Sequence, residues 1–204
     1  MKHSMRLVIL APLMAICLAG CGTIQVSMSP MISNAEIGDR SIPAKVGLFM
    51  DSEFTNLHWH GFSDAELAPL DYDLGAASSD LLRDTLTRVA IGVELVDKRP
   101  PYAPNEQHEL AFVVEPHFVG FAEGNSMWIR NGNFTAHIEY QVIVYDKRGN
   151  VLQDRVYKAD AEQRGTMDPR QTLGSRYGAP VDLALEKIVL MIVDDLVGIK
   201  IPEL

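Results

Sequence analysis

The apolar positions of this chain fall into three kinds of run. There is one continuous block near the N-terminus, several short blocks bounded by proline and glycine, and two stretches at helical spacing. The first block, residues 7–18, reads LVILAPLMAICL and follows Lys2 and Arg6. A permanent transmembrane helix needs about 20 apolar residues, so this run fits the h-region of an export signal over residues 1–20. Residues 22–43 mix Ser, Pro, Asn and Gly without a period and read as a tether. Within them Ile24, Gln25 and Val26 alternate, enough for a short edge strand that Pro30 limits.

From Lys45 the patterns sharpen into a single globular domain over 44–204. Residues 45–50, KVGLFM, predict a buried strand between Pro43 and Asp51. Residues 51–75 are polar and irregular, a long excursion ending at Gly75. A helix follows, with Ser78 or Ser79 as N-cap and Leu82, Leu86 and Val89 on one face. Residues 91–96, IGVELV, predict a strand closed by Asp97, Lys98, Arg99, Pro100 and Pro101. Residues 110–121 predict another, in which Pro116 implies an edge or a bulge.

Residues 134–145, FTAHIEYQVIVY, alternate most clearly. Ala136, Ile138, Tyr140, Val142 and Val144 share one face, and Thr135, His137, Glu139, Gln141 and Ile143 the other. Residues 146–150 supply a turn with Gly149 available for positive φ, and 151–158 return as the second strand of a hairpin. Residues 160–178 are loop-like. A final helix over 180–197 starts at Pro180 and repeats Val181, Leu185, Ile188, Ile192 and Leu196. Its all-apolar centre, 188–193, is too short to cross a membrane. Strand, helix, strand, strand, hairpin and helix predict an α+β two-layer sandwich: a mainly antiparallel sheet with two helices packed on one face.

Leu18, Ala19, Gly20 and Cys21 follow the apolar run at the distance of a cleavage site. They resemble the lipobox of bacterial lipoproteins. The resemblance implies a diacylglyceryl group on the Cys21 thiol, cleavage on its N-terminal side, palmitate-type acylation and membrane attachment through that lipid. Gly22 follows Cys21; in a Gram-negative host this implies the periplasmic face of the outer membrane. An ordinary cleaved signal would instead leave an unpaired thiol at the mature terminus. Cys17 departs with the signal, so no disulfide forms.

Of 18 Lys+Arg in the chain, Lys2 and Arg6 leave with the signal; 16 remain against 27 Asp+Glu, a net charge of −11. So acidic a body is repelled by nucleic acid and by anionic lipid, which excludes a nucleic-acid partner.

His58 and His60 lie at strand alternation, with Asp64, Asp71 and Asp73 nearby, but no metal-ligand spacing is met, and neither metal nor cofactor is expected. His108, His117 and His137 sit in or beside strands. There is no G-x-S-x-G, phosphate loop or dinucleotide fingerprint, and the Asn133-Phe134-Thr135 sequon begins a strand. A lipid-anchored hydrolase therefore trails non-catalytic readings. Phe54, Leu57, Trp59 and Phe62 gather in the 51–75 excursion, and Met127, Trp128 and Ile129 form a second group. Trp59, Phe62 and Trp128 are candidate docking anchors; the alternative folds such aromatics back onto the core.

With Cys21 and the order of elements over 45–197, the chain resembles small outer-membrane lipoproteins of the LptE and YajG kind, and auxiliary lipoproteins of envelope transport systems. The resemblance implies a two-layer sandwich and a non-catalytic accessory role beside another envelope protein. The second expectation is a carrier of a lipid or small molecule in a cleft between sheet and helices.

Overall fold

Short capping signals punctuate the first half of the chain in the computed structural model, which describes residues 22–63, 68–103, 109–125, 133–164 and 171–199. Strand β1 (Ile24–Val26) leads to a one-turn helix, α1 (Asn34–Ile37), held by a reciprocal capping box between Ser33 and Glu36. Strand β2 (Ile42–Phe49) is followed by α2 (Ser52–Thr55), where Asp51 accepts from the Phe54 N–H. Strands β3 (His58–Ser63) and β4 (Ala68–Asp73) form an antiparallel pair. Asp73 caps α3 (Leu74–Val89) by accepting from the Ala76 N–H, and β5 (Ala90–Val96) follows at once. The three long strands are β6 (Phe112–Asn125), β7 (Asn133–Asp146) and β8 (Val151–Arg164). Thr172 caps the last helix, α4 (Leu173–Val197).

The fold is an α+β sandwich. Its main sheet has the order β5-β2-β6-β7-β8. The β6–β7 and β7–β8 pairings are antiparallel, as the hairpin pattern predicts, while β5–β2 and β2–β6 are parallel. The β5–β2 pairing is parallel because α3 carries the chain back between them, the crossover that a parallel neighbour requires, and β6 joins on the other side of β2 after the connection 97–111. The predicted inward face of β7 is buried throughout, from Ala136 at 2% exposure to Val144 at 0%. Against it pack α4, α3 and a small sheet of order β1-β4-β3. On the opposite face Val96, Leu110 and Val113 form a lesser cluster with Phe49 and Tyr102. Among the described residues no helix is long and apolar enough to cross a membrane.

Four expectations are corrected. First, residues 22–43 are not a loose tether. Val26, Ile32, Ile37 and Ile42 are core residues, and residues 25–31 lie along α4. The Ser29 N–H donates to Asp182 at 3.0 Å and the Met31 N–H to Glu186 at 2.9 Å. Gly174 and Gly178 meet the carbonyls of Gln25 and Ser27 so closely that an added Cβ would lie 2.3 and 1.9 Å from them. Partners thus recur every two residues of strap and every four of helix. Two extended residues advance about 6.6 Å and four helical ones about 6 Å, so the two stay in step.

Second, the described part of the 51–75 excursion forms α2, β3 and β4, and Gly75 lies inside α3. Its absent side chain admits the carbonyls of Phe54 and Thr55. Third, α4 begins at Leu173, not at Pro180, which stands inside the helix. Fourth, Pro116 is not on an edge strand. It pairs with Val142 of β7, beyond the last β2–β6 pair, Leu48 with Val114, and the bulge falls later, between Phe118 and Gly120.

Candidate functional site

Among the described residues one charged group is fully withdrawn from solvent: Glu115 on β6, at 1% exposure. Glu115 is the first β6 residue past the β2 pairing, on the face bearing Val113. The Arg99 Nε donates to both carboxylate oxygens, at 2.8 and 2.7 Å. His117 Nε2 stands 3.0 Å from Oε1. Burial, and then the hydrogen bond to Glu115, raises the Tyr145 phenol above its ordinary value. The Arg99 guanidinium also lies 5.8 Å from the Phe49 ring centre, a cation–π contact.

Asp51, Glu115 and His117 each offer a ligand atom within 4.8 Å of the others. Two of these groups are already committed. The Asp51 carboxylate accepts from the Phe54 N–H at 2.8 Å, and Glu115 carries the Arg99 guanidinium. Glu115 is thus neutralised by Arg99, and the pair ties the segment after β5 to the sheet. The signal for it was a lone acid in an apolar strand, Val113-Val114-Glu115-Pro116.

The histidines singled out by sequence lie on the outer face of the small sheet. His58 Nδ1 is 3.3 Å and His60 Nδ1 3.2 Å from the same oxygen of Asp71. The imidazole rings stack at 6.3 Å. Although burial pushes Asp71 upward, the Gln25 and His58 hydrogen bonds and the histidine charges hold it below its ordinary value. His137 is bridged to Glu139 and Asp160, at 2.8 Å each.

Trp59 and Phe62 face opposite ways. Trp59 packs inward against Tyr72 and Phe121, with ring centres 5.4 and 4.9 Å away, and covers Gly61. Beneath it Tyr72 donates to Glu123, whose carboxyl burial pushes up. Phe62 points outward and is 56% exposed. Cys21, Asp64, His108, Met127, Trp128 and Ile129 lie outside the described residues.

The clefts are open and mixed in lining. One of about 700 Å³ lies among Glu123, Thr135, His137, Asp160, Glu162 and Lys187. Another of about 500 Å³ is lined by Arg155, Asp194 and Asp195 beside Leu152, Gly198 and Ile199. Such charged walls suit neither an acyl chain nor another apolar ligand.

No protein-family model matches the chain, and no curated protein matches it at a significant level. Among solved structures it is similar to a hypothetical protein of Chlamydia trachomatis, with 16% identity and a TM-score of 0.43 over 78% of this chain and 98% of that one. It is similar to a minor lipoprotein of Acinetobacter baumannii, with 11% identity and a TM-score of 0.43 over 78% and 93%. A protein of Xanthomonas campestris gives 11% identity and a TM-score of 0.42 over 87% and 93%.

Proposed function

We propose that the chain is a bacterial envelope lipoprotein, exported by residues 1–20, acylated at Cys21 and held on the periplasmic face of the outer membrane. Its domain serves there as a non-catalytic accessory or structural subunit of an envelope assembly, in the manner of the LptE and YajG kind. The observation that carries the reading is Leu18-Ala19-Gly20-Cys21 placed directly after a short apolar run, with only Gly22 and Thr23 before β1. Each buried methylene contributes about 0.8 kcal/mol, so two or three acyl chains hold such a domain at a bilayer. The net charge leaves no electrostatic route to anionic lipid.

The charged walls of the clefts favour a docking subunit over a carrier. The commitment of Glu115 to Arg99 likewise favours a structural role for the most buried charge. The test is purification of the full chain from detergent-solubilised membranes, with the mass of its N-terminal peptide read separately. An acylated Cys21 peptide and a stoichiometric envelope partner are expected. An unmodified Cys21 overturns the anchor, and recovery of the acylated chain alone overturns the accessory role.

A further inference from the structure

Because the first residues after Cys21 are built into the fold, the anchor sets the orientation of the domain as well as its location. Cys21 is three residues from Ile24, a span of at most about 10 Å even when fully extended. The start of β1 is therefore held close to whatever surface receives the lipid. Ile24 lies opposite Leu70 of β4, and Leu70 opposite Gly61 of β3. The next rung outward, toward the chain's exit, is Phe62 with Pro69, and the Phe62 side chain is 56% exposed.

Leu173 comes to the same end from the other side of β1. It precedes Gly174, which is seated against the Gln25 carbonyl, and it is 39% exposed. Two apolar side chains thus flank the exit point. From Leu173 the 25 residues of α4 run about 37 Å. At its far end Gly198 and Ile199 share a cleft with Leu152, near the β7–β8 turn. The acidic body gains nothing from anionic headgroups, which leaves apolar contact with a zwitterionic surface.

Resting on the lipid anchor at Cys21, we propose that the end of the fold bearing Phe62 and Leu173 sits on the bilayer surface. The Phe62 ring reaches the headgroup level, α4 stands away from the membrane, and the β7–β8 turn projects into the aqueous compartment.

The test uses the full chain, purified with its lipid and reconstituted into phosphatidylcholine vesicles containing a headgroup nitroxide lipid. With Cys21 acylated, a cysteine introduced by Phe62→Cys or Lys147→Cys is the sole thiol and takes a bimane label. The label at position 62 is expected to lose much of its emission to the nitroxide, and that at 147 to keep it. Equal quenching at both positions, or none at 62, with an acylated Cys21 peptide overturns the orientation and leaves the anchor standing. An unacylated peptide overturns both.

Discussion

The backbone N–H of Ser29 donates to Asp182 Oδ1 at 3.0 Å, joining positions 153 residues apart. Burial, and to a lesser degree the neighbouring Glu186 charge, pushes the Asp182 carboxyl up to about 6, although the Ser29 bond pulls the other way. The folded state therefore holds this proton more tightly than the unfolded chain does. The resulting contribution to stability is full below the ordinary carboxylate value and is lost as pH rises through about 6. This group therefore makes the fold more stable in mild acid than at neutrality, even though the Ser29 hydrogen bond itself is stronger to the ionised carboxylate. Asp182→Asn keeps the acceptor and removes the charge. It is expected to flatten this part of the pH profile and raise Tm near pH 7 by about 2–4 °C, the shift that ~1 kcal/mol gives in a domain of this size. Thermal unfolding at several pH values checks it, and a lower Tm at neutrality with an unchanged profile is the contrary result.

Gly178→Ala sets helix propensity against packing. Alanine is the better helix former by about 1 kcal/mol. Its Cβ, however, would sit 1.9 Å from the Ser27 carbonyl oxygen, backbone that has nowhere to go. A net loss of roughly 1–3 kcal/mol is expected, the usual cost of overpacking. Early proteolytic cleavage within residues 22–33 should accompany it. Unchanged denaturant midpoints would contradict the close approach.

Removing Arg99 leaves the Glu115 carboxylate buried without its cation. Breaking a buried pair costs about 3–5 kcal/mol, and because the Arg99 side chain is 52% exposed, roughly 2–3 kcal/mol is expected for Arg99→Ala. Adding Glu115→Gln to that variant should recover part of the loss, since the stranded charge is gone. Urea unfolding of the two single variants and the double variant completes the cycle, and strict additivity would count against the pairing.

His137 reports on the exposed face of the main sheet. Its hydrogen bonds to Glu139 first and Asp160 second raise it above the ordinary 6.5. The stabilisation is present below that value and lost as pH rises through the folded one. An NMR titration should place the midpoint above 6.5, and Glu139→Gln should move it down.

Legibility from sequence followed the number of independent signals at each element. The β7–β8 hairpin combined a five-residue inward stripe with a turn whose Gly149 takes φ 85°, so β7 and the turn were readable closely, but β8 runs on to Arg164 through residues 160–164 that read as loop. The order β2, α3, β5, β6, β7, β8, α4 was also readable. The edge strand Ile24-Gln25-Val26 was readable as well, but the burial of residues 26–37 was not, because it depends on Gly174 and Gly178, which resemble loop residues until a strand is laid against them. In β3 the alternation His58-Trp59-His60 was visible, yet only its partner β4 reveals which side is covered. Glu115 was passed over because a single acid in a strand is informative only once its cation is located 16 residues away.

The two-to-four correspondence between residues 25–31 and α4 constrains evolution in a particular way. Removing one residue from the strap would slide everything before it by half a repeat and turn each side chain to the opposite side, so that Gln25 and Ser27 would present their bulk where the glycines now admit only backbone. Outward side chains along this segment are free to vary, whereas its length is not. Homologues should therefore keep a constant spacing between β1 and β2, and tolerate insertions instead beyond the ends of the long strands.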